Sequence, residues 1–159
     1  MLRDSEYDSG LFDVCITDVI IIQSFIYTKT FPLFKQMSAE IVHLMMTLRD
    51  QVKLYHWQTM NYPRHIATND LIPKLDLNID QFVEVYVGKY GRPKLTGKTS
   101  SIHLRNHSDA EATKMIQEAI DWLTNDLTSK LKKTDTDLLN IRDTIVADLN
   151  QTLYLFTLH

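Results

Sequence analysis

Apolar positions recur at three-and-four spacing in four separate stretches after Pro32, and each stretch reads as a helix that buries one face. The first stripe, Ile41, Leu44, Met45, Leu48, Val52 and Tyr55, predicts a helix from about Ser38 to Met60. The second, Ile72, Leu75, Ile79, Phe82 and Tyr86, predicts a helix that starts near His65 or Asp70 and ends at Tyr90. Pro73 then sits in its first turn or kinks it, because proline has no N–H to give to the helix. Ser108 and Glu111 have the spacing of a capping box and open a third helix with the stripe Ala112, Met115, Ile116, Ala119, Leu123, Leu127 and Leu131. A short polar turn around Thr134 leads to a fourth, with Leu138, Ile141, Ile145, Leu149, Leu153 and Phe156 on its apolar face.

The connection between the second and third helices, Gly91 to His107, is 17 residues long. A tight turn makes the first two helices antiparallel neighbours. A connection of 17 residues can instead travel the length of a bundle, as ferritin-like folds require between their second and third helices. With only four Gly and four Pro in 159 residues, long helices are easier to build than many short strands. The 44% of apolar residues is enough for one core. The expectation is an all-α protein: a four-helix bundle over residues 33–159, preceded by an apolar N-terminal extension at 1–32.

That extension is most apolar from Val14 to Tyr27. Asp4, Glu6 and Asp8 precede it where a signal peptide would be basic, so secretion is not expected. It carries Asp18 and is shorter than the roughly 20 apolar residues that span a bilayer, so it reads as a buried or oligomer-facing segment without a membrane role. The single cysteine, Cys15, excludes an intrachain disulfide and a multi-cysteine zinc site and suits a reducing, cytoplasmic compartment. A net charge of −3 gives no global attraction to nucleic acid. Locally, Arg92, Lys94, Lys98 and Arg105, with His103 and His107, lie in a connection that holds no acidic residue. If DNA is bound at all, weak contact through that stretch is expected.

Four candidate ligands stand out on the first two helices: His56, His65, Asp80 and Glu84. Iron takes imidazole and carboxylate ligands held on rigid elements. At 100° per residue His56 falls about 80° from the centre of its helix's stripe, while Asp80 and Glu84 lie about 100° and 140° round theirs. The carboxylates therefore face a neighbour or solvent. Glu40 and His43 match the Glu-x-x-His pattern of in-bundle di-iron sites, but at about −80° and −140° they turn away from the core.

Taken together, Lys53, His56 and Trp57 in a Lys-x-x-His-Trp pattern, then His65, then Asp80 and Glu84 four apart, resemble the mini-ferritin (Dps) family of the ferritin-like superfamily. The likeness spans Lys53 to Glu84 in motif. The resemblance implies a ferroxidase that oxidises Fe(II) with hydrogen peroxide or oxygen in a homodimer or larger homo-oligomer. Its metal site is shared across the dimer: His56 and His65 from one subunit, Asp80 and Glu84 from the other. Lys53 and Trp57 would form the outer shell. Asn69 stands where the family has an acidic ligand, and Asp70 or Asp76 is a candidate substitute. The strings His56 to Thr59, Tyr62 to His65 and Glu84 to Arg92 look more like a ferritin-like family known from large DNA viruses and phages, which implies a viral protein. The Lys-rich terminal tail of DNA-binding mini-ferritins is absent. The resemblance leaves two alternatives to catalysis, a structural virion protein and a nucleic-acid packaging protein.

Overall fold

A three-residue turn, Thr59 to Asn61, separates one helix from the next, and Asn61 caps the second. Its side chain accepts a hydrogen bond from the Arg64 amide (3.2 Å), and Pro63 follows in the first turn, where a missing N–H costs nothing. In the computed structural model, which describes residues 39–158, helix α1 spans 39–58 and α2 spans Tyr62–Tyr90. Helix α2 thus starts earlier than the apolar stripe alone predicts, because the cap sets the start. Pro73 lies well inside it. A proline there withholds the helical hydrogen bond from the carbonyl four residues earlier, that of Asn69.

Helix α2 ends at Gly91, whose φ of 91° is open to glycine and strained for other residues, and whose N–H bonds the Val87 carbonyl. The chain then returns to the other end of the bundle through one 3₁₀ turn, Gly97–Ser100. Buried Gln51 on α1 holds this connection by pairing with the Arg105 main chain, Nε2 donating to its carbonyl (2.6 Å) and Oε1 accepting from its N–H (2.9 Å). Gln58 adds a bond to Asn106 (2.6 Å). Ser108 and Glu111 form the expected capping box, and α3 runs Asp109–Asp121. It continues through a π-helical segment, Trp122–Leu127, into a last turn, Thr128–Lys130. Leu123, Leu127 and Leu131 recur every four residues, a spacing that drifts about 40° per step in a helix of 3.6 residues per turn. The wider i→i+5 turn takes up that drift and keeps Leu123 and Leu127 in the core. Helix α4 spans Thr136–Leu155.

Cross-links set the helix directions. Tyr55 meets Asp109 while Glu40 meets Lys130, so α1 and α3 are antiparallel. Lys74 meets Asp148 while Lys89 meets Asp135, so α2 and α4 are antiparallel as well. The described residues therefore form an all-helical bundle without strands, in which α2 and α3 run the same way and the long connection restores the direction. Every stripe contributes to one core, including Ile41, Tyr55, Phe82, Ile116 and Leu149. Leu44 is the exception. It is 40% exposed and borders a surface groove with Glu40, His43 and Trp122, because Ile41, Met45 and Val52 occupy the centre of the buried face. Among the described residues no helix is long and apolar enough to cross a membrane. The expectations for the 1–32 extension lie outside the described residues.

Candidate metal centre

His56 and His65 meet across the tight turn between α1 and α2, their rings stacked with centroids 4.0 Å apart and planes 22° from parallel. The contact is reciprocal in the main chain. His56 Nδ1 lies 3.1 Å from the His65 carbonyl, and His65 Nδ1 lies 3.0 Å from the His56 carbonyl. A carbonyl can only accept, so both Nδ1 atoms carry the proton. Buried Thr68 strengthens the arrangement: its hydroxyl donates to the Arg64 carbonyl (2.8 Å), and its oxygen faces His56 Nδ1 at 3.2 Å. Each imidazole thus caps a helical carbonyl and keeps Nε2 bare, with no partner for either Nε2 among the described residues. That is the tautomer in which Nε2 binds a metal while Nδ1–H is held by an outer-shell oxygen.

Burial pushes the His56 pKa down, and the neighbouring His65 and Lys53 push it the same way against the opposing pull of the His65 carbonyl. His56 is 6% exposed and uncharged at neutral pH. A histidine whose pKa is lower folded than unfolded binds fewer protons when folded, so the stability it contributes is complete above its ordinary value of 6.5 and falls as the pH drops below it. The urea midpoint is therefore expected to decline between pH 7.5 and 5.5. The decline should be visibly smaller in His56→Asn. Equal declines in both proteins would show that His56 does not govern this pH range.

A polar knot fixes the turn. Arg64, one residue before His65, donates to the Asp109 carbonyl (2.8 Å), Thr113 Oγ1 (3.1 Å) and Tyr55 Oη (3.4 Å), and its guanidinium lies 4.4 Å from the Phe156 ring centroid. Tyr55 donates to Asp109 at 2.6 Å, and burial followed by this carboxylate raises its pKa. The first turn of α2 is thereby tied to the start of α3. Sequence reasoning passed over Thr68 and Arg64. The spacing of Thr68, three residues after His65, was the available signal, since residues three apart share a helix face.

The carboxylates are elsewhere. Asp80 and Glu84 are exposed in the second half of α2, fifteen and nineteen residues beyond His65, or about 22 and 28 Å along the helix at 1.5 Å per residue. Asp80 lines a groove of about 330 Å³ between α1 and α2 with Val42, Met46, Ile79 and Val83. Asn69 is exposed one turn beyond His65. Asp76 is engaged by Arg49 through two bonds of 2.6 and 3.2 Å, which removes it as a substitute ligand. Asp70 is exposed. Lys53 sits 5.2 Å from the centroid of the exposed Trp57 ring. Glu40 pairs with Lys130 (3.7 Å), away from the histidines. Among the described residues no three of His, Cys, Asp and Glu come together to hold a metal ion. The structure brings His56 and His65 together and leaves Asp80 and Glu84 apart from them.

The described residues thus form an all-helical bundle with a pre-set imidazole pair at one end. The chain belongs to a family of unknown function (DUF5856), whose model matches residues 56–156. That span holds His56, His65, Asn69, Asp80 and Glu84 and leaves Lys53 outside. No curated protein and no solved structure matches the chain.

Proposed function

We propose that the chain is a ferritin-like, Dps-related ferroxidase whose iron site is completed by a second copy of the chain. The observation that carries this reading is the reciprocal histidine clasp, which holds both rings by Nδ1 and leaves the Nε2 atom of each stacked ring without a partner among the described residues. The helix directions and the long connection are those that ferritin-like folds require. Two imidazoles are too few ligands for iron, and the carboxylates of one chain lie too far along α2 to supply the rest. A two-fold axis would bring Asp80 and Glu84 of one copy to His56 and His65 of the other, giving two equal sites. The turn that carries the pair also exposes Trp57 (68%), Met60 (99%) and Tyr62 (73%), the kind of apolar surface that marks an interface.

Fe(II) is the substrate in this reading. Two Fe(II) ions give one electron each to a hydrogen peroxide, whose O–O bond breaks; with two protons it leaves as two waters. The carboxylates, as hard anionic oxygen donors, favour the ferric product. Asn69 contributes a neutral and weaker donor than the acidic residue it replaces. Lys53 and Trp57 act from the outer shell.

Anaerobic titration with Fe(II), followed by addition of peroxide and measurement of ferric absorbance, tests the reading. Saturable binding and rapid oxidation are expected of the wild type and not of His65→Ala. A wild type that neither binds nor oxidises iron overturns the ferroxidase and leaves a structural, assembly-forming protein built on the same exposed apolar turn.

A further inference from the structure

The two departures from α-helical geometry among the described residues meet at one groove. The 3₁₀ turn Gly97–Ser100 reaches it with Thr99, and the π segment Trp122–Leu127 with Trp122 and Asp126. Glu40, His43 and Leu44 of α1 and Lys130 in the last turn of α3 complete the lining around about 320 Å³. That volume is at the small end of those that hold small molecules. The leucine spacing of α3 accounts for the π turn but not for what the turn presents, an indole and a carboxylate opening onto the same hollow. Such turns are common at functional sites. The Glu-x-x-His pair, Glu40 and His43, takes no part in the iron reading and opens onto the groove as well. It lies about 20 Å along α1 from His56 at 1.5 Å per residue.

The polar groups of the lining divide into spent and free. Thr99 is spent: its hydroxyl donates to the Thr96 carbonyl (2.9 Å) and accepts from the Thr96 amide (3.0 Å). Glu40 and Lys130 meet at 3.7 Å, beyond hydrogen-bond distance. The exposed Asp126 carboxylate and the half-buried His43 ring have no partner among the described residues. Two carboxylates against one ammonium leave the lining with one net negative charge. The helix ends do not change this, because the start of α1 places about half a positive charge near Glu40 and the end of α3 about half a negative charge near Lys130. Lys98 and Asp121, which adjoin Thr99 and Trp122 in sequence, are of opposite sign. Lys133 is exposed in the turn after α3, outside the lining, and Lys132 is engaged with the Tyr90 ring.

We infer that this groove binds a small primary amine that carries one charge on an aromatic body. An ammonium has three N–H donors and no acceptor, which suits the carboxylates of Asp126 and Glu40 and a ring nitrogen of His43. Leu44 and Trp122 offer the body an apolar wall, and an indole also attracts a cation over its face. An anionic ligand meets a lining of its own sign. A metal ion is the poorer match, because no three of His, Cys, Asp and Glu come together to hold one among the described residues, and it leaves the indole and Leu44 unused. Free amines and lysine side chains share the ammonium chemistry. The indole favours a free arylamine, whose ring stacks where the methylenes of a lysine do not. This inference is independent of the iron reading.

The test is the fluorescence of Trp122 in the full chain carrying Trp57→Phe, which removes the other tryptophan. Phenethylamine at neutral pH should change it saturably, with half-saturation at about 1 mM or below. Phenylpropionate, similar in size with a carboxylate for the ammonium, should give no saturable change. In the same background Asp126→Asn should weaken amine binding at least about tenfold through the lost charge-assisted bond. Leu44→Ser should weaken it about fivefold through the lost apolar wall. Glu118→Gln removes a carboxylate one turn before Trp122 that does not line the groove, and should stay within about twofold. The amide of Nα-acetyllysine should bind more weakly than phenethylamine. No saturable change with phenethylamine, an equal response to phenylpropionate, undiminished binding in Asp126→Asn or Leu44→Ser, or as large a loss in Glu118→Gln would each overturn the inference. Tighter binding of the lysine amide would overturn its assignment to a free arylamine.

Discussion

Mixed dimers that combine a His56→Ala chain with an Asp80→Ala, Glu84→Ala chain are expected to recover about half of wild-type iron oxidation, although each parent alone is inactive. The proposed site takes its histidines from one copy and its carboxylates from the other. In the mixed dimer one of the two sites regains every ligand and the other carries both defects. A site within one chain cannot behave this way, because every chain in the mixture lacks something. The geometry requires the distinction: His65 and Asp80 are separated by about 22 Å of helix. Purified mixed dimers, assayed for ferric product beside both parents, provide the measurement. Mixtures that stay inactive beside an active wild type would refute the intersubunit site.

Arg64→Met is expected to lower the unfolding free energy by about 2–4 kcal/mol in urea titration, a large loss for a single substitution. Methionine matches much of the stem but offers nothing to the Asp109 carbonyl or Thr113, and it leaves Tyr55 and Asp109 without their cation. Charge-assisted bonds of this kind are stronger than neutral ones, while the Asp109 carboxylate, 46% exposed, falls back on water when the guanidinium is gone. Because Arg64 sets the first turn of α2, the variant should also disturb the stacked histidine pair. Imidazole resonances of His56 and His65 report this directly. A shift below about 0.5 kcal/mol, the usual range for a surface change, would show that the knot does not hold the turn.

The stripes and the capping box were legible because they are local. Burial of one face repeats every three or four residues wherever a helix packs, and the Ser108 and Glu111 side chains reach only neighbouring amides. The tight turn was less legible. Asn61 and Pro63 carried the start signal, but the apolar stripe of α2 begins several residues later. The π segment was hidden because the four-residue leucine spacing of α3 also reads as an ordinary helix. Asp76 reads as a free carboxylate in the sequence, yet Arg49, 27 residues earlier, meets it across the helix pair.

By itself the sequence determined that the described residues make four helices with a long connection after the second, since residue spacing, capping and proline or glycine placement act within a few residues of chain. It also marked His56 and His65 as residues of the right chemistry. Only the tertiary structure decided that the two rings stack, that each binds the other's carbonyl through Nδ1, and that Thr68 closes in on the pair, because these contacts depend on how α1 and α2 meet at the turn. It likewise decided that Lys132 stands over Tyr90 while Arg105 is carried to the opposite end. Charge and hydrogen bonding act through space, and the chain separates in sequence what the packing of its helices brings together.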